Sequence, residues 1–221
     1  MSALAERPFG RSGLTLTVLG LGGVPLAGLY APIGDDAALD TVRAAHEGGI
    51  HYFDTAPFYG HGLSEHRLGQ ALRRLPRNAF RLSTKVGRRL RAAPAETVES
   101  PLFAELLPFV PAFDYSHDGT LRSLEDSLQR LGLASVDLVL VHDPNRRWHG
   151  DAWPERFREV MAGAHRALER LRGEGVIGAF GIGAHGHEEC LAFARAGAFD
   201  GFMLAGQYTL LDQSAADAFL P

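Results

Sequence analysis

A short apolar run, a loop and then an amphipathic stretch of helical period recur along this chain. Six apolar runs read as strands, at 18–21, 50–54, 80–85, 136–141, 177–182 and 202–205. Between them lie helical patterns. Asp35 and Asp36 open one whose inner stripe is Leu39, Val42 and Ala45/His46, stopped by Gly48 and Gly49. Ser64 is expected to cap a second, carrying Leu68, Ala71 and Leu72 and ended by Pro76. Leu121, Leu124, Leu128 and Leu131 fall on one stripe of a third. Phe157, Val160, Ala164, Leu168 and Leu171 mark a fourth, 188–196 a fifth, and one more is expected to begin near Ser214. Residues 11–16 read as a turn with a small hairpin. Pro94, Pro101, Pro108 and Pro111 break the rhythm over 88–116, which is expected to be a long functional loop.

Strands alternating with helices imply parallel pairing through right-handed crossovers. A doubly wound sheet and a (β/α) barrel both satisfy this. The doubly wound dinucleotide fold places Gly-x-Gly-x-x-Gly between its first strand and first helix. Here the region reads Gly20-Leu21-Gly22-Gly23-Val24-Pro25, and the helical pattern starts only at Asp35. The fold class read from this is α/β of the TIM-barrel type, as one domain over 1–221 and incomplete, with about six β/α units. Barrel chemistry gathers where strands end, on the C-terminal face.

Composition narrows the partners. The net charge is −4, which offers no basic field to nucleic acid or to an anionic membrane. A single cysteine, Cys190, excludes an internal disulfide and a Cys-based zinc site. No apolar run approaches the ~18 residues of a membrane span. Residues 1–8 lack a basic segment followed by an apolar one, so no export signal is expected and a cytoplasmic setting is.

The strand ends carry Gly22-Gly23, Asp54, Lys85, His142-Asp143, Gly183-Ala184-His185 and Gln207-Tyr208, with Tyr59 five residues beyond Asp54. A carboxylate, a phenol, an ammonium and an imidazole are therefore expected on one rim. That set suits proton transfer to a carbonyl oxygen. A free tyrosine, with pKa near ~10, gives up its proton reluctantly at neutral pH. An ammonium at ~4 Å and an effective dielectric of ~20 is worth roughly 4 kcal/mol, or up to about three pKa units before desolvation. Lys85 is thus expected to pull the Tyr59 pKa down, with Asp54 keeping Lys85 charged and His142 orienting the oxygen. None of these groups carries a hydride, so a nicotinamide must supply it. Trp148 and Trp153 are candidates for a pocket wall. A rival reading takes His142, Asp143, His185, His187 and Glu188 as the ligands of a metal-dependent barrel hydrolase.

The segments Asp54-Thr55-Ala56-Pro57-Phe58-Tyr59-Gly60, Ser64-Glu65-His66-Arg67-Leu68-Gly69, Ser83-Thr84-Lys85 and Asp137-Leu138-Val139-Leu140-Val141-His142 resemble the aldo-keto reductases, in family order and over essentially the whole chain. The resemblance implies Tyr59 as the acid/base, Lys85 and Asp54 as its tuners, and His142 as the group that positions the carbonyl. It implies NAD or NADP as cofactor and a small sugar or aldehyde as substrate, with no metal. Stretches 22–30, 142–144 and 208–213 are similar to the aldose and pyridoxal dehydrogenase branch, which oxidises a cyclic hemiacetal to a lactone with the same residues run in reverse. Gly22, Gly23, His185 and Gln207 are the implied cofactor contacts. The family's Ser-Asn pair after the fifth strand is replaced here by Gly183-Ala184-His185. Six strands against the eight of the barrel leave two edges open. The expectation is that this chain folds poorly alone, self-associates, or is part of a longer parent. A catalytically inactive or truncated member of the family is the alternative reading.

Overall fold

A computed structural model describes residues 4–221; residues 1–3, the start of the stretch read for an export signal, lie outside the described residues. The chain opens with an antiparallel hairpin of β1 (Glu6–Pro8) and β2 (Thr15–Thr17). Its turn is held by Ser12, whose hydroxyl donates to the Phe9 carbonyl at 2.7 Å and accepts from the Leu14 N–H at 3.1 Å. Next comes β3 (Gly20–Gly22), while Val18 and Leu19, expected inside that strand, form an exposed link. Pro25 starts a single 3-10 turn, Pro25–Ala27, so the helix is deferred to α1 (Asp35–Glu47). Asp35 and Asp36 sit at its N-terminus, where the helix dipole favours negative charge. Its core face is Ala38 and Val42, with Leu39 half-buried.

β4 (Tyr52–Asp54), α2 (Leu63–Leu72) and β5 (Arg81–Val86) follow. Ser64 does not cap α2. Gly62, at φ +103°, holds the cap position, and Ser64 is buried in the first turn. The long loop expected over 88–116 is a correction. It contains an antiparallel hairpin of β6 (Arg88–Ala92) and β7 (Phe109–Phe113). Pro111 lies in β7 opposite Leu90, which a two-stranded ribbon tolerates because one side of each strand needs no donor. The intervening segment is tied down by backbone bonds from Tyr30 N–H to Leu102 O (2.8 Å), Ala104 N–H to Gly28 O (2.8 Å) and Leu107 N–H to Gly60 O (3.2 Å). Arg67 on α2 adds a fork to Glu105, both contacts at 3.2 Å.

α3 (His117–Leu131) is capped by Ser116, which accepts from the Gly119 N–H at 3.0 Å, and ends at Gly132 in the left-handed region. Then come β8 (Leu138–His142), α4 (Arg146–His149), and a long helical run of α5 (Trp153–Glu159), a π segment (Val160–Ala164) and α6 (His165–Gly173). β9 (Ala179–Ala184), α7 (His187–Ala196) and β10 (Gly201–Leu204) complete the pattern. The helix expected near Ser214 does not form; that stretch is a series of turns.

The parallel sheet runs β3-β4-β5-β8-β9-β10, so spatial order equals chain order. A doubly wound sheet must reverse direction at a switch point, and this one never does. It is the curled half of a barrel. Alternation assigns the two faces. Phe53, Leu82, Val139, Val141, Phe180 and Ile182 pack outward in the cluster shared with the helices. Tyr52, Leu138, Leu140, Ala179 and Met203 form a separate inner cluster with Phe9 and Leu14 of the N-terminal hairpin. That hairpin closes the N-terminal end of the barrel interior. The C-terminal ends of the strands are left for polar side chains.

Candidate active site

Asp54 is the last residue of β4, Lys85 the last but one of β5, and His142 the last of β8. Parallel register places Asp54 beside Ser83 and Lys85 beside Leu140, so the three side chains reach one rim. The Lys85 ammonium donates to Asp54 Oδ2 at 2.5 Å and to the Thr55 carbonyl at 3.0 Å. Ser83 donates to Asp54 Oδ1 at 2.6 Å, and its hydroxyl in turn pairs with that of Tyr52 at 2.9 Å. The Thr55 loop is pinned from outside: Ser64 Oγ donates to Gly23 O at 2.7 Å and contacts Thr55 Oγ1 at 2.8 Å. Burial works against the Lys85 charge, but Asp54 and Tyr59 outweigh it and raise its pKa. Lys85 is therefore an ammonium at any physiological pH.

Tyr59 enters by a tight turn. Its N–H donates to Ala56 O at 3.2 Å, and Gly60, His61 and Gly62 follow with φ of +60°, +51° and +103°. Gly60 is required twice over, because a Cβ there would lie 2.8 Å from that of Ala27. His61 is buried and donates from Nδ1 to the Phe109 carbonyl at 2.7 Å, which ties the turn to β7. The Tyr59 ring lies 4.8 Å from the Lys85 ammonium and 5.7 Å, edge-on, from the His142 ring. Lys85 acts on its hydroxyl both through its charge and through a side-chain hydrogen bond. The net pKa of Tyr59 is raised: burial dominates, Lys85 opposes, and Asp54 adds to the rise. Lys85 pulls the value down as expected, and desolvation, left unsubtracted in that expectation, is the larger effect. The ammonium limits the rise rather than reversing it, and the phenol keeps its proton at neutral pH, ready to donate.

His142 is buried, and its pKa lies well below the usual imidazole value, first through burial and then through Arg88. It is a neutral ring. Its Nδ1 is sealed and unpartnered, while Nε2 is 3.6 Å from Asp143 Oδ2. The backbone carbonyl of His142 accepts from Tyr115 Oη at 3.0 Å, which fixes the strand end.

Arg88 and Asp143 complete the rim, and sequence reasoning gave Arg88 no role. Arg88 donates from Nη2 to Asp143 Oδ2 at 2.5 Å, with its guanidinium 4.0 Å from the Trp148 ring, 4.3 Å from Phe58 and 4.8 Å from Phe113. The available signal was Gly87. It takes φ +95° against the Tyr115 ring and bends the chain so that Arg88 folds back over the strand ends. Trp148, a candidate pocket wall, packs against Arg88 and is not among the residues lining the cleft beside Tyr59; Trp153 donates to Pro144 O at 2.9 Å.

Tyr59, Lys85, His142 and Asp143 face a cleft whose other side is Gly183, Ala184, His185, Met203 and Ala205. Of the four implied cofactor contacts, His185 lines this cleft. Gly22 ends β3 in register with Asp54 and has open space at its Cβ position. Gly23 is packed: its N–H donates to Asp54 O at 2.7 Å, and a Cβ would meet Ser64 Oγ at 2.6 Å. Gln207 lies outside the lining, its amide oxygen accepting from the His187 N–H at 2.7 Å to cap α7. The same contact undoes the metal-hydrolase ligand set. His187 turns to Gln207, and no group of three His, Cys, Asp or Glu side chains comes together as metal ligands among the described residues. A larger apolar groove of about 280 Å3 lies on the outside between α1 and α2, far from these strand ends in the fold and without their chemistry.

The family model described as "Aldo/keto reductase family" matches residues 18–220. Pyridoxal 4-dehydrogenase of Microbacterium luteolum is 42% identical, over all of this chain and 67% of its own length. D-threo-aldose 1-dehydrogenase of a Pseudomonas species is 40% identical, over 95% of this chain and 63% of its own. The solved aldo-keto reductase of Bacillus halodurans (holo form) superposes with a TM-score of 0.69 at 26% identity, over 91% of this chain and 57% of that one. The chain thus spans about two thirds of the length of the curated relatives it matches, at 67% and 63%.

Proposed function

This chain belongs to the aldo/keto reductase family, and on that premise we propose that its site serves NAD(P)-dependent hydride transfer to or from a small carbonyl or hemiacetal carbon. The observation that carries the reading is a proton-bearing Tyr59 whose ring lies 4.8 Å from a buried ammonium and 5.7 Å from a neutral imidazole. Pyridoxal-like aldehydes and aldoses are the substrate classes, by likeness to the two dehydrogenases above.

The residues present fit a nicotinamide. Facing Tyr59 and His142 is a wall of Gly183, Ala184 and Ala205, small enough to admit a flat ring, with Met203 as its apolar floor and His185 as a polar edge. Gly183, Ala184 and His185 would hold that ring, with Gly22 at the rim; Gly23 and Gln207 support the backbone around it. When bound, the nicotinamide supplies or accepts the hydride. The chain's own residues manage the proton. Tyr59 donates it to the carbonyl oxygen during reduction and takes it back during oxidation. Lys85, anchored by Asp54 and Thr55 O, stabilises the phenolate this leaves. His142 gives the same oxygen a second hydrogen bond and so fixes which carbon faces the ring.

The wider reading is one barrel-type domain, in a cytoplasmic, reducing setting that suits its free, buried Cys190. Among the described residues no helix is long and apolar enough to cross a membrane. β3 and β10 are edge strands, and self-association through them is part of the proposal. Size-exclusion chromatography tests that part; a concentration-independent monomer counts against it.

The function is tested by turnover of pyridoxal and of D- and L-aldoses with NADH or NADPH carrying deuterium at the transferable position. Deuterium recovered at the product carbinol carbon is expected. Nicotinamide binding without transfer to any of these substrates would favour the inactive alternative.

A further inference from the structure

We infer that Arg88 and Asp143 act as a pair of positioning residues that set the tautomer and charge of His142: Asp143 draws the ring proton to Nε2, and Arg88 stops that carboxylate from turning the ring into an imidazolium. The inference rests on the reading that His142 orients a substrate oxygen.

Asp143 is built into place. Its backbone takes φ +49° and its N–H donates to Gly183 O at 2.8 Å. Its Oδ1 accepts from His185 Nδ1 at 3.2 Å and from Asn145 Nδ2 at 3.3 Å. Its Oδ2 accepts from Arg88 at 2.5 Å and stands 3.6 Å from His142 Nε2. The other ring nitrogen, Nδ1, is buried with no partner. A neutral imidazole has one N–H and one lone pair to distribute between these two sites. A carboxylate attracts an N–H and repels a lone pair, so Nε2 carries the proton and Nδ1 the lone pair.

A lone carboxylate at that distance would also favour the charged ring. The groups facing His142 prevent it. Arg88 and Lys85 are cations, Asp143 is an anion, His185 stands across the carboxylate, and the Phe58 and Tyr59 rings pack edge-on. Arg88 cannot swing away, because three aromatic rings enclose its guanidinium. The result is a neutral donor at Nε2 that does not compete with Tyr59 for the proton transferred.

The test is nitrogen-15 NMR of the full chain with labelled histidines and no nicotinamide or substrate, His142 being assigned by its loss in H142Q. The unaltered chain should show a protonated Nε2 and an unprotonated Nδ1, with no titration across ~pH 5–8. Asp143→Asn, which tolerates the left-handed backbone, should lower the Nε2–H to Nδ1–H ratio by about five- to tenfold. Arg88→Gln should raise the ring's apparent pKa by about one to two units, and Arg88→Lys should restore the neutral ring. Arg88→Gln strands a buried carboxylate. If it fails to melt cooperatively, the double variant R88Q/D143N replaces it, with a neutral ring of mixed tautomer expected. An unchanged tautomer ratio in D143N or in the double variant overturns the inference, as does a His142 titration, followed into acid, that is not shifted upward in a folded R88Q. Failure of the unaltered chain to turn over any substrate would instead count against the functional reading and leave these spectra to stand or fall by themselves.

Discussion

Replacing Lys85 with methionine removes the cation that most lowers the Tyr59 pKa. The ammonium sits 4.8 Å from the phenol ring centroid. At about that separation and an effective dielectric of ~20, a unit charge is worth about 3.5 kcal/mol, or roughly 2.5 units of phenol acidity. The Asp54 charge left behind pushes in the same direction. With a Brønsted slope between about one half and one, kcat for carbonyl reduction should fall about 20- to 300-fold. The variant also strands Asp54, buried and unpaired, at a cost of about 3–5 kcal/mol. The double variant K85M/D54N removes both charges and separates the two effects. It should regain most of the stability and only that part of the rate lost to the unpaired Asp54 charge, leaving the loss due to the missing ammonium. The assay is the initial rate of nicotinamide absorbance change with pyridoxal or an aldose, beside a urea melt of each protein. In the oxidation direction the rise in rate with pH should also move to higher pH. A folded K85M/D54N turning over within about threefold of the unaltered chain would refute the reasoning.

Three further outcomes follow from named contacts. Gly69→Ala puts a Cβ 2.1 Å from the Leu131 carbonyl, where α2 crosses the end of α3, and should cost about 2–3 kcal/mol in a denaturant melt without altering the site's chemistry. His142→Gln should lower kcat/KM about 100-fold while nicotinamide affinity measured by fluorescence stays within about twofold. The third concerns acid. The pKa of Asp143 is lowered by its His185 hydrogen bond and by the Arg88 charge, despite burial. A carboxyl depressed in the folded state contributes stability above its unfolded pKa of about 4, and that contribution is lost as pH falls toward the folded value. Asp143→Asn should therefore flatten the loss of stability below about pH 4 in melts at a series of pH values.

What the sequence disclosed follows from how local each feature is. The β/α alternation, the delay imposed by Pro25 and the polar residues ending each strand are short-range patterns. They led to the barrel and to Asp54, Tyr59, Lys85 and His142. Hidden features involve partners distant in the chain. Arg88 meets Asp143 55 residues away, so nothing local marks the pair. Four prolines masked the β6–β7 hairpin, whose pairing tolerates Pro111 because a ribbon edge spares a donor. Ser64 looked like a cap by its position, but a buried site between Gly23 and Thr55 claims its hydroxyl. The direction of the Tyr59 shift depended on burial, which depends on the segment between β6 and β7 folding over the Tyr59 turn, with Phe103 against the Tyr59 ring. Charge proximity and the opposing sign of burial were legible in the sequence; how far burial outweighs the charge was not.

The account turns on a proton leaving the Tyr59 oxygen as hydride reaches the carbonyl carbon. Tyr59→Phe deletes that oxygen and little else, since Lys85, the side chain it contacts, stays anchored by Asp54 and the Thr55 carbonyl. Single-turnover reduction of pyridoxal by bound NADH should slow by about 1,000-fold or more, with the melting curve and cofactor affinity unchanged. A phenylalanine variant that reduces the substrate within about threefold of the parent rate would place the proton donor elsewhere and contradict the account.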